Sequence, residues 1–83
     1  MVDVAEVLRG LIGDELMGRS DDVIDDEVYF GEEFWIRINA SNGEVTVCKS
    51  KILGYGYVHF STSLSDPECG EKLIEQVREL LGE

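Results

Sequence analysis

From Phe34 to Ser50 the chain reads FWIRINASNGEVTVCKS. Apolar and polar residues alternate on both sides of Asn42-Gly43, the two-residue period of a strand with one face on a core and one toward water. Asn-Gly accepts the left-handed backbone of a two-residue hairpin turn, so the stretch predicts strands near 34–41 and 44–51. That turn sets Ile38 opposite Val47 and Ala40 opposite Val45. An isolated hairpin is marginal in water, so the rest of the chain must cover its apolar face.

Two helical patterns supply the cover. Val4, Val7, Leu8, Leu11, Ile12 and Leu16 follow three-four spacing behind Asp3, an N-cap with Glu6 three residues on. This predicts a first helix ending near Gly18, with Gly10 and Gly13 inside it, each costing about 1 kcal/mol against alanine and offering a close approach to a neighbour. In SDPECGEKLIEQVRELLGE, Asp66 reads as the cap and Pro67 as the first helical position. Leu73, Ile74, Val77, Leu80 and Leu81 form its buried stripe, and Gly82 ends it. Between hairpin and second helix, GYG at 54–56 turns into YVHFSTS, a third strand with Val58, Phe60 and Thr62 inward. The expectation is one α+β domain over residues 1–83, of order α-β-β-β-α, with a three-stranded antiparallel meander and both helices on one face. At 83 residues there is room for one small core.

The formal charge of −11 repels nucleic acid and anionic membrane and attracts cations or basic proteins. It is uneven, with eleven acids against three bases in residues 1–42 and seven against four in 43–83. Its densest part is DDVIDDEVYFGEE at 21–33, where seven of thirteen residues are carboxylates and none is basic. Three functional readings compete with a solvated connection between helix and sheet, or with adaptation of the whole surface to a high-salt cytoplasm. As a calcium loop starting at Asp21, the stretch places Asp25 at position five, Val28 at the apolar position eight and Glu32 at position twelve. Val23 and Asp26 occupy positions that need an oxygen ligand and a glycine, which leaves a weak divalent cluster of Asp21, Asp25 and Glu32, with Asp22, Asp26 and Glu27 nearby. As a nucleic-acid mimic, Asp21, Asp22, Asp25, Asp26, Glu27, Glu32 and Glu33 stand in for phosphates at the basic groove of a nucleic-acid-binding protein. In size and charge the chain is similar to small phage inhibitors of host defence that act this way.

The third reading uses the sheet's uncovered face. Strand parity puts Trp35 and Arg37 there with Thr46, Cys48 and Ser50, and with Tyr57, His59 and Ser61. Trp, Tyr and Arg are enriched at binding hot spots, so Trp35, Arg37 and Tyr57 form a candidate protein-contact or homodimer surface. The competing expectation is a second small core beneath the acidic stretch, built from Val23, Val28, Tyr29 and Phe30. Cys48 and His59 on this face lack a third orienting group and an oxyanion donor, and zinc needs four convergent ligands.

The order α-β-β-β-α is similar to that of double-stranded RNA-binding domains. Those domains place lysines at the start of the second helix, where this chain has Asp66, Pro67, Glu68, Cys69, Gly70, Glu71 and Lys72. The resemblance therefore implies architecture, and the charge excludes RNA. Cys48 and Cys69 show no metal or disulfide spacing, the chain opens without a signal-peptide pattern, and no apolar run reaches the length of a membrane span, which fits a reducing cytoplasm. The sequence thus reads as a non-catalytic acidic module for a basic protein partner, with nucleic-acid mimicry as the most specific form. The alternatives are weak calcium binding, without any other cofactor, and a small homodimer using the Trp35 face.

Overall fold

A computed structural model describes residues 3–51 and 56–83. Its elements are α1 (Val4–Ile12), α2 (Asp14–Met17), β1 (Asp22–Ile24), β2 (Glu27–Phe30), β3 (Phe34–Asn39), β4 (Glu44–Ser50), β5 (Gly56–Ser63) and α3 (Cys69–Leu80). Asp3 caps α1 as expected, its carboxylate accepting the Glu6 N–H at 3.3 Å. The single first helix does not hold: the chain breaks at Gly13 (φ 92) and restarts as the short α2. The close helix approach is not at Gly10 or Gly13 either. It falls at Gly70 of α3, where any Cβ would press on the Leu11 carbonyl of α1.

α3 begins two residues later than Asp66-Pro67 suggests. Asp66 still organises its entry, accepting the Glu68 N–H on its carboxylate at 2.9 Å and the Cys69 N–H on its carbonyl at 3.0 Å. This tight turn leads into the helix in place of a side-chain cap. At the other end, the N–H groups of Gly82 and Glu83 return to the carbonyls of Glu79 and Arg78, closing the helix at the predicted glycine.

The sheet has five antiparallel strands in the order β1-β2-β3-β4-β5, not three. The two additional strands come from the acidic stretch, which is a hairpin and not a loop. Ile24 pairs with Glu27, leaving Asp25-Asp26 as its two-residue turn, with Asp25 at φ 54. Aspartate tolerates that left-handed backbone better than most side chains.

The β3–β4 hairpin keeps its apolar face but differs in register by two residues. Ile38 pairs with Val45 and Ile36 with Val47. A four-residue loop, Ala40–Gly43, replaces the two-residue turn, held by the Gly43 N–H on the Asn39 carbonyl and by the Asn39 and Asn42 side chains. Because the slip is even, inward residues remain inward.

β5 carries a bulge: Val47 faces Phe60 and Cys48 faces Val58, leaving His59 as the extra residue. The bulge reverses parity in the first half of the strand. Phe60 and Thr62 stay on the helix side, whereas Val58 is turned outward and 61% exposed, contrary to its expected inward position. The turn expected at 54–56 falls mostly outside the described residues, with Gly56 opening β5.

All three helices pack on one face of the sheet, where two were expected. Val4, Leu8, Ile12, Leu16 and Met17 meet Leu73 and Val77 of α3 over Val28, Phe30, Phe34, Ile36, Ile38, Val45 and Val47. Burial of alternate residues along β2 and β3 follows directly from this one-sided cover.

Candidate functional site: the acidic hairpin and the open sheet face

The hairpin divides its seven carboxylates. Asp25 and Asp26 sit at its turn, Glu27 begins β2, and Asp21, Glu32 and Glu33 gather at the opposite end beside the Gly31 turn. The five-residue step from Asp26 to Gly31 spans roughly 17 Å of extended chain. Asp21 accepts the Gly31 N–H and Asp22 accepts its neighbour Val23 N–H at 2.9 Å. Glu27 is the paired member of the set: Arg37 Nη2 lies 2.6 Å away, and the Tyr29 hydroxyl donates to its other oxygen at 2.8 Å. Among the described residues the other six have no cationic partner.

This separation bears on the divalent site. Asp25 lies at the far end of the hairpin from Asp21 and Glu32, so the three cannot converge on one ion. Among the described residues, no group of three or more His, Cys, Asp or Glu side chains is placed to hold a metal.

Each end of the hairpin instead rims a groove, mostly polar at the Gly31 end and mostly apolar at the Asp25-Asp26 turn. Asp21, Glu32 and Glu33 border a groove of about 490 Å³ against Phe34, Leu80 and Leu81, with Arg19 at its margin. Arg19 is itself engaged by Glu83 at 2.8 Å. Asp25 and Asp26 border a second, of about 350 Å³, with Val4, Ile38 and Ala40. Neither groove is legible in the sequence, because each depends on how the hairpin docks against a helix or the β3–β4 loop.

The sheet face opposite the helices carries Tyr29, Trp35, Arg37, Thr46 and Cys48, with Val58 and Gly56 from β5 and Ile24 from β1. Trp35 and Arg37 are where parity placed them. Tyr57 is not: after the bulge it pairs with Lys49 and belongs to the other face, where Lys51 Nζ lies 5.2 Å above its ring. The second small core does not form, because Val28 and Phe30 enter the main core while Val23 is exposed.

Tyr29 instead stacks on Trp35, with ring centroids 5.8 Å apart. Trp35 also spreads over Gly56, where a Cβ would collide with the indole, so β5 can begin there only with glycine. The indole is partly buried, and its N–H has no acceptor among the described residues. Of the four residues expected in the second small core, Tyr29 alone packs on this face. The alternation in EVYF was the available signal, and the surrounding acids obscured it.

Electrostatics on this face follow from its contacts. The hydrogen bond to Glu27 raises the Tyr29 pKa above 10.0, because the phenolate would face a carboxylate. The same carboxylate raises the Arg37 pKa further. Burial pushes the Cys48 thiol above its ordinary 9.0, with Arg37 opposing, so it is protonated at neutral pH. His59 is exposed at the bulge.

No helix among the described residues is long and apolar enough to cross a membrane. The chain matches no protein-family model, and no curated protein or solved structure is significantly similar to it.

Proposed function

We propose that this chain is a non-catalytic binding module for a basic protein, with carboxylates standing in for nucleic-acid phosphates as its most specific form. The observation that carries the reading is the pair of acid-rimmed grooves at the two ends of one hairpin. A lysine or arginine combines an aliphatic stem with a charged head: both grooves offer carboxylates to the head, and the one at the Asp25-Asp26 turn also offers an apolar lining to the stem. Two such positions roughly 17 Å apart suit a partner whose cations are spaced along a surface, as they are in a nucleic-acid groove. A divalent ion needs converging oxygens, and the hairpin holds Asp25 apart from Asp21 and Glu32. Asp21, Asp22, Asp25, Asp26, Glu32 and Glu33 are the proposed contacts. Glu27 contributes less, being already neutralised by Arg37.

A second reading, supported by the partly exposed Tyr29–Trp35 stack, makes the open sheet face the contact surface. Salt distinguishes the two. Carboxylate contacts weaken steeply with ionic strength, while aromatic burial barely responds.

The test is capture on the immobilised chain, beside a variant with all seven acids of 21–33 replaced by their amides and a Trp35→Ala variant. The proposal expects a basic protein eluting at moderate salt from wild type and Trp35→Ala, and absent from the amide variant. Equal capture by the amide variant overturns it, and loss on Trp35→Ala alone transfers the role to the sheet face.

A further inference from the structure

Asn42 and Gly43 lie in the loop Ala40–Gly43 between β3 and β4, with Asn42 exposed. An asparagine followed by glycine is chemically vulnerable. The nitrogen of the next peptide unit can attack the carboxamide carbon and close a cyclic imide, and glycine has no Cβ to obstruct the approach. Asn39, the other asparagine of the chain, is followed by Ala40, whose Cβ stands in the way. The loop itself requires the vulnerable pair, since Gly43 takes the left-handed backbone at φ 74.

The closed loop holds both reacting groups. The Gly43 N–H donates to the Asn39 carbonyl at 2.8 Å, and the Gly43 carbonyl accepts the Leu64 N–H at 2.8 Å, so the residue is fixed from both sides. The Asn42 Oδ1 accepts the Glu44 N–H at 2.9 Å, which ties the carboxamide to the residue beyond Gly43. The Gly43 nitrogen becomes a nucleophile only by giving up the proton it shares with Asn39. Ring closure therefore has to wait for the loop to open.

We propose that Asn42 is a conditional modification site, shielded while the β3–β4 loop is closed and converted to aspartate or isoaspartate when it opens. On opening, the Gly43 nitrogen loses its proton to solvent base and bonds to Asn42 Cγ. The Cγ–Nδ2 bond breaks, and Nδ2 leaves as ammonia, taking up a proton from water. Water then adds to either carbonyl of the imide. One opening gives aspartate; the other gives isoaspartate, whose main chain runs through the side-chain carbon and is longer by a methylene. Either product adds a carboxylate to a chain of formal charge −11, next to Ala40 and Ser41 of the groove at the Asp25-Asp26 turn. The longer main chain of isoaspartate also changes the spacing between Asn39 and Gly43 on which the loop hydrogen bond depends.

The experiment incubates the chain in warm, mildly alkaline buffer and follows the tryptic peptide 38–49, which contains both asparagines, by mass spectrometry. Wild type is compared folded and in denaturing urea, beside Gly43→Ala in urea, where the fold plays no part. Exchange of the Gly43 amide in folded wild type is measured at the same pH and temperature. Conversion in urea should fall on Asn42 and not on Asn39, and Gly43→Ala should slow it strongly. Folded wild type should convert at least about tenfold more slowly, by a factor of the same order as the Gly43 exchange protection, because one opening exposes the same N–H to both reactions. Equal conversion rates in the folded and unfolded chain overturn the proposal. So does conversion centred on Asn39, or a folded chain that converts slowly while its Gly43 amide exchanges freely.

Discussion

Glu27 holds the phenol of Tyr29 on one carboxylate oxygen and the guanidinium of Arg37 on the other. A raised tyrosine pKa means that the folded chain keeps its proton where the unfolded chain loses it. The Tyr29 contribution to stability is therefore complete below about pH 10 and is lost as pH rises through the folded value. Glu27→Gln should bring the Tyr29 titration back toward 10.0, readable from its ring resonances. An unmoved titration would mean that burial, and not the carboxylate, sets it. Gly56 offers a second test at this scale. Gly56→Ala should cost about 1–3 kcal/mol by overpacking and move Trp35 emission to the red, as measured by urea unfolding and fluorescence. Cys48, protonated and buried, should alkylate slowly in the folded chain and at an ordinary thiol rate in urea.

Among the elements, the acidic hairpin teaches most about what the sequence displayed. Val28, Tyr29 and Phe30 alternate in and out as a strand should, yet seven carboxylates in thirteen residues made the stretch look like a solvated connection. Its turn is Asp25-Asp26, without the Asn-Gly that marks a hairpin on sight. Where that signal does occur, the hairpin was legible and its inward face correct. The register differed because local hydrogen bonds from Asn39 and Asn42 hold a longer loop. The bulge at His59 has no local signature and is imposed by pairing with β4, so Val58 and Tyr57 could not be placed from parity alone. Both grooves arise from tertiary docking, and only their acidic rims were visible in the sequence. The left-handed residue gives a direct test of the hairpin. Asp25→Val should cost about 1–2 kcal/mol. Faster amide exchange should be confined to β1 and β2, and equal loosening of β3 and β4 would contradict a separable edge hairpin.

Among the described residues the sheet has a helix-covered face, an opposite face on which Thr46 and Cys48 are buried and Tyr29 and Trp35 partly so, an acidic edge and a neutral edge. A charge of −11 on 9.3 kDa repels itself, so the chain should gain stability with added salt. Replacing the seven hairpin acids by amides should raise its stability by about 1–2 kcal/mol at low ionic strength and by less in 0.5 M salt. Urea midpoints at the two salt concentrations provide the comparison, and an amide variant no more stable than wild type would show that the acids do not repel one another. Acids that cost stability yet stand uncompensated at two groove rims are the basis for assigning them to a partner.

The measurement that addresses that assignment most directly is the affinity of a captured basic protein for wild type and for the seven-amide variant, across a salt series. Wild type should bind tightly with an affinity that falls steeply with salt, and the variant should bind little at any salt. Equal affinities with a flat salt dependence would contradict it and leave the hairpin as a structural edge of the sheet.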